Sequence, residues 1–187
     1  MNFETFLQNS LSDSEKKVME LLMENFRQQS FFGTPWAKPK NPGKGGQKIL
    51  YKSGDLQDGF HSSVQGESIR ITNSYPYASI HNEGGDITVS AQMKKFFWAM
   101  YYKASGGMGK TKTGTPGNNK RNRDLSSEAG YWKSLALMKA GAKIHIPQRQ
   151  FIGEHPQLDA AIEKVIDRNM KDLANEITKM IQQRHQQ

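Results

Sequence analysis

The sequence predicts an α+β fold, a small antiparallel β-sheet packed by long N-terminal and C-terminal helices. Three observations carry this. Apolar residues recur at helical spacing near both ends, at Val18, Leu21, Leu22 and Phe26 and again from Leu158 to Ile181. Between them, Phe60 and Val64, then Ile69 and Ile71, alternate with polar residues on either side of Gln65-Gly66-Glu67, the pattern of a β-hairpin with one buried face. The 187 residues suit one ordinary domain, without internal repeat.

Taken in order, the first helix is expected from about Ser12 to Gln29. Ser12 or Ser14 caps it, and Glu15 lies three residues after Ser12 as in a capping box. Residues 31–48 read as a loop, with Gly33, Pro35, Pro39, Asn41-Pro42-Gly43 and Gly45-Gly46 as breakers. Lys38, Lys40, Lys44 and Lys48 make it basic, and Trp36 docks it on the body. Ser53-Gly54-Asp55-Leu56 forms a turn or short helical entry to the hairpin. Tyr75 to His81 is a turn of helix or a bend, ended by Gly84-Gly85. Ile87 and Val89 mark a short strand, and Ser90 caps a helix through Met93, Phe96, Phe97, Met100 and Tyr101.

Residues 104–124 hold little that can bury apolar surface and read as a mobile, basic, Gly-rich loop. Helix resumes from Leu125 to Ala140, with Gly141 as its stop. Lys143-Ile144-His145-Ile146 alternates as a strand closed by Pro147. Pro156 occupies the first position of the last helix, whose apolar stripe is Leu158, Ile162, Val165, Ile166, Leu173, Ile177 and Ile181. Continuous to Arg184, this helix spans roughly 40 Å. That exceeds what a small sheet covers, so its far end is expected to meet another subunit.

Composition excludes several classes. Without cysteine there is no disulfide framework and no thiolate metal site. No stretch approaches the ~20 apolar residues of a membrane helix, and the N-terminus lacks the basic start and apolar run of a secretory signal. The chain is expected in the cytoplasm, away from membranes. Its net charge of +8 and pI near 9.6 favour an acidic partner.

Each candidate for chemistry has a plainer explanation. Residues 104–111, Ala-Ser-Gly-Gly-Met-Gly-Lys-Thr, match a relaxed phosphate-loop pattern. Such a loop needs a strand before it and a helix after it, and here an aromatic helical run precedes and Thr113-Gly114-Thr115-Pro116-Gly117 follows. His61, His81, His145, His155 and His185 are scattered, away from metal-ligand spacing. Asp55 with Asp58, and Glu83 with Asp86, lie at turns, where acids satisfy backbone groups. No nucleophile elbow occurs. The expectation is a protein that is not an enzyme and has no cofactor, metal site or catalytic residue. Lys110, Lys112, Lys120, Arg121 and Arg123, with Lys103, instead form a basic arm able to neutralise phosphates or to meet a protein. This supports an alternative reading, a nucleic-acid-binding protein without sequence preference.

Four segments in order resemble the phage virion morphogenesis or tail-completion family, which includes the Mu-type G protein. They are Gly33-Thr34-Pro35-Trp36, residues 49–56 with Gly54, residues 77–85 (Tyr77-Ala-Ser-Ile-His81-Asn-Glu-Gly84-Gly85), and residues 146–153 with Pro147, Arg149, Phe151 and Gly153. The resemblance implies a structural subunit that assembles as a ring of like copies at the tail end or neck of the virion. There it makes the tail competent for head joining; other tail or neck proteins are the expected partners, and the basic arm, read apart from the resemblance, offers a contact for packaged DNA. Within these motifs the glycines suit tight turns, Trp36, Tyr77 and Phe151 suit buried anchors, and Arg149 suits fixing carbonyls or a carboxylate.

Overall fold

The computed structural model describes residues 3–39, 48–51 and 53–184. Lys40, the Asn41-Pro42-Gly43 and Gly45-Gly46 breakers, Lys44 and His185 lie outside these residues. The described chain is α+β. Its elements are α1 (Phe3–Gln28), β1 (Ser30–Phe31), β2 (Thr34–Pro35), α2 (Asp55–Asp58), β3 (Phe60–Gln65), β4 (Ser68–Asn73), α3 (Ala78–Glu83), β5 (Gly85–Thr88), α4 (Ala91–Gly106), α5 (Lys120–Ala136), β6 (Lys143–Ile146) and α6 (Pro156–Arg184). The strands form three separate antiparallel pairs, β1–β2, β3–β4 and β5–β6, where the alternation suggested one sheet. The chain divides into two compact units, one of Met1–Trp36, Ser53–Asn82 and Arg149–Gln187, the other of Ala37–Lys52 and Glu83–Gln148.

In the first unit the terminal helices α1 and α6 pack on each other. Helix α1 starts at Phe3, well before the expected Ser12. The reason is that Phe6, Ser10 and Ser14 prolong the stripe of Val18, Leu22 and Phe26 by whole turns, all of them buried. Ser12 is therefore mid-helix and caps nothing. The small Ser10 meets Asn169 of α6, whose Nδ2 lies 3.4 Å from Ser10 Oγ and 3.4 Å from Asp13 Oδ2. Arg168 donates to Asp13 at 2.8 Å. Burial pushes the Asp13 carboxyl up, but bonds from Asn169 and Lys16 and the charges of Lys16 and Arg168 outweigh it and hold it below its ordinary value.

The hairpin follows the alternation. Val64 opposes Ile69, Ser62 opposes Ile71 and Phe60 opposes Asn73, so Phe60, Val64, Ile69 and Ile71 share one face. Gly66, at φ 61°, makes the tight turn.

The second unit is a helical hairpin, α4 and α5, beside the β5–β6 ladder. Ser90 caps α4, accepting from Met93 N at 3.1 Å. Phe97, Val89 and Ala136 are buried together, with Trp132, Met93 and Ile144 against them. Phe96 and Tyr102, by contrast, are 52% and 65% exposed. Helix α5 begins at Lys120 instead of Leu125, because Asn119 supplies an N-cap, its side chain accepting from Asn122 N at 2.8 Å. It ends at Ala136, before the Gly141 stop, and Gly141 instead donates to Val89 O at 2.9 Å.

Candidate functional site

The motif residues of the first unit converge on Phe151, which is 1% exposed. Its ring lies 5.0 Å from Phe26 and 5.5 Å from Phe60, and Phe26 meets Trp36 edge-on at 5.3 Å. Trp36 Nε1 donates to Gln150 O at 2.6 Å, which docks the segment after β2 as the sequence suggested. Two asparagines fix the backbone around this plug. Asn25 Nδ2 donates to Phe151 O at 3.1 Å, while Asn82 Oδ1 accepts from Phe151 N and Ile152 N at 3.0 and 3.1 Å. Arg149, also buried, donates its backbone N–H to His81 O at 2.8 Å. Asn25 is buried and Asn82 half-buried, and neither carries a sequence signal of these roles.

Tyr77 departs from expectation. It is 40% exposed and lies against Tyr75 and the edge of His81, so it is no buried anchor. Gly54 precedes α2 at φ 102°, and Gly153 has φ 150°, both conformations that favour glycine.

In the second unit Gly84 (φ 73°) and Gly85 (φ 137°) lead from α3 into β5, and Ile146 pairs with Gly85 immediately before Pro147. The basic residues gather where α4 turns into α5. Residues 104–106 finish α4, and Lys110 bridges Pro116 across a turn through Gly114. The base of this turn is held by Asn122, which is 3% exposed. Its Oδ1 accepts from Gly109 N at 2.9 Å, and its Nδ2 donates to Gly109 O and Gly117 O at 2.7 and 2.6 Å. The irregular stretch is thus shorter than residues 104–124, and Lys120, Arg121 and Arg123 sit on the first turn of α5. The phosphate-loop pattern begins in the last turn of α4 and leads into this turn, without the strand before it that such a loop needs.

The histidines have local partners. His145 bonds Asp86 at 3.0 Å, His61 meets Ser74 Oγ at 3.1 Å, and His155 stacks on Phe32 at 4.3 Å. Asp55 accepts from Ser53 Oγ at 2.5 Å in its turn. Among the described residues no group of three or more His, Asp or Glu is placed to hold a metal ion. None of the described helices is long and apolar enough to cross a membrane.

His81 is different. Its Nδ1 is buried without a hydrogen-bond partner, and burial, then the charge of Arg149, lower its pKa below the ordinary 6.5. The folded state therefore takes up a proton on this ring less readily than the unfolded chain, which does so near pH 6.5. Stability from this site is therefore complete above that pH and falls as pH drops below it. The melting temperature of the wild type should decline from about pH 7 to about pH 5 more steeply than that of His81→Gln. Parallel curves would remove His81 as the cause.

Residues 16–171 match the model of the phage virion morphogenesis family. The chain belongs to that family. Searches of curated proteins and of solved structures return no match. Membership makes the chain a protein of phage virion morphogenesis, one that takes part in building the phage particle.

Proposed function

We propose that this morphogenesis protein is a ring-forming subunit at the tail end or neck. In this reading it completes the tail and makes it competent to join the head, the tail-completion role implied by the likeness to the Mu-type G protein. The observation that carries the reading is a second apolar stripe on α6. Leu158, Ile162 and Val165 lie on the side toward α1, where Asn169 bonds Ser10. Ile166, Met170, Leu173, Ile177 and Met180 are centred about 70° further round the helix. Except for half-buried Leu173 they are exposed, from 38% at Ile166 to 49% at Met170, and Ile181 beside them is 53% exposed.

Spacings of four, three, four and three residues are those of a helix seam that another helix fills. A second copy brings a helix of the same pattern, and the stripe reaches Ile181, almost the end of α6. An apolar stripe of this length left in water is a liability for a lone chain and an asset for an assembling one.

The test is the double variant Ile177→Lys/Ile181→Lys, since both side chains are exposed and the fold does not need them. Wild-type protein is expected to form oligomers by native mass spectrometry, and the variant to run as monomer with unchanged circular dichroism. Particles built with the variant should show defective tails or unjoined heads under the electron microscope. Normal infectious particles from the variant would end the proposal.

A further inference from the structure

The two units differ sharply in charge. The unit of Ala37–Lys52 and Glu83–Gln148 carries 16 of the lysines and arginines against 4 acids, while the other carries 10 against 14. Six of those bases, Lys103, Lys110, Lys112, Lys120, Arg121 and Arg123, fall within 21 residues at the α4–α5 tip, with no acid among them. All six are exposed. Among the described residues of this unit, Lys143 is the base with a carboxylate within ion-pair distance, Asp86 at 3.9 Å, and it lies on β6.

The tip is also built. The Asn122 bonds and the Lys110–Pro116 bridge fix the turn. Lys120, Arg121 and Arg123 stand on the first turn of α5, where the helix dipole disfavours cations. Like charges gathered at the positive end of a helix cost stability, and a bound anion relieves both terms.

We propose that the α4–α5 tip binds double-stranded DNA through its phosphates, without reading base sequence. A protein partner suits the tip less well. Residues 109–116 are exposed and consist of glycine, lysine, threonine and proline, with no aromatic or aliphatic side chain to serve as the central anchor of a protein interface. A surface of charge alone fits a uniform polyanion, where neutralised phosphates release counterions and supply the affinity. The exposed aromatics, Phe96 and Tyr102, lie on α4 outside this turn. That favours duplex phosphates over stacking on single strands. The proposal does not rest on ring formation, because the tip and the α6 stripe belong to different units.

Fluorescence anisotropy of the full chain with a 30-base-pair duplex tests it. With six phosphate contacts, affinity should fall about 10³-fold between 50 and 200 mM salt. Lys110→Ala/Lys112→Ala and Arg121→Ala/Arg123→Ala, each removing two contacts, should show a fall of only about 10²-fold and weaker binding at 50 mM. Lys110→Arg/Lys112→Arg should restore the steep dependence. Lys171→Ala/Lys179→Ala, in the other unit, should leave it unchanged, and a second duplex of unrelated sequence should bind equally. The proposal is overturned if the duplex does not bind at 50 mM salt, or if both tip variants keep the wild-type salt dependence. Polyglutamate binding as tightly as the duplex would assign the tip to an acidic protein instead. Tighter binding of single strands than of duplex would refute the double-stranded partner.

Discussion

Phe151→Ala is expected to destabilise the protein by about 3–5 kcal/mol, the usual cost of emptying a packed aromatic site. The ring is 1% exposed and wedged between Phe26 and Phe60. Its backbone N–H and carbonyl are held by Asn82 and Asn25. Those bonds restrain the collapse that would otherwise shrink the cavity, which argues for the upper half of the range. For a chain of this size the melting temperature should drop by roughly 6–20 °C. Urea unfolding followed by circular dichroism reads the change as a lower midpoint at unchanged slope. Tyr77→Ala serves as the contrast. It belongs to the same set of family motifs, but its ring is 40% exposed, so its cost should stay below about 1 kcal/mol. Equal costs for the two would mean that Phe151 is not the centre of this unit.

That contrast shows what the sequence holds and what it withholds. Helical spacing located the start of α6 to the residue, because Pro156 opens it, and no breaker interrupts the helix through Arg184. The hairpin face of Phe60, Val64, Ile69 and Ile71 was equally legible, since period-two alternation admits one register around Gly66. The start of α1 was not. Ser12 followed by Glu15 is a sound capping signal, yet Phe6, Ser10 and Ser14 have a long partner helix to bury against, and tertiary packing overrides the local cap. Periodicity likewise merged two stripes of α6 into one. Val165 and Ile166 are adjacent in sequence but face different surroundings, 7% and 38% exposed, and only the position of α1 separates them.

The candidate surfaces were partly visible for the same reason. Basic composition marked the segment around Lys110 and Arg123, because charge needs no tertiary context to be counted. The element that shapes it, Asn122, looked like one more polar residue in a low-complexity run. Its meaning comes from Gly109 and Gly117 lying within its reach, contacts 13 and 5 residues away. The same holds for Asn25 and Phe151, joined across 126 residues. Polar side chains that satisfy distant backbone groups leave no periodic trace.

Gly84→Ala is expected to cost about 2–4 kcal/mol, from two separable sources. Gly84 ends α3 at φ 73°, the left-handed conformation that lets the chain turn into β5. An L-residue there costs about 1–2 kcal/mol whatever surrounds it. The second source is contact. A Cβ on Gly84 would stand 2.8 Å from Gln148 N and 3.1 Å from its Cα, both backbone atoms. Gln148 cannot retreat cheaply, since Pro147 before it restricts the backbone and the next residue, Arg149, is bonded to His81 O. Gly66→Ala isolates the first source, because Gly66 has φ 61° and nothing within 4 Å of its Cβ position. Its cost should therefore be about 1–2 kcal/mol, and the excess at Gly84 measures the close approach of the two segments. Urea midpoints for the two variants decide the matter. If Gly66→Ala proves as damaging as Gly84→Ala, backbone conformation explains both and the contact with Gln148 contributes nothing.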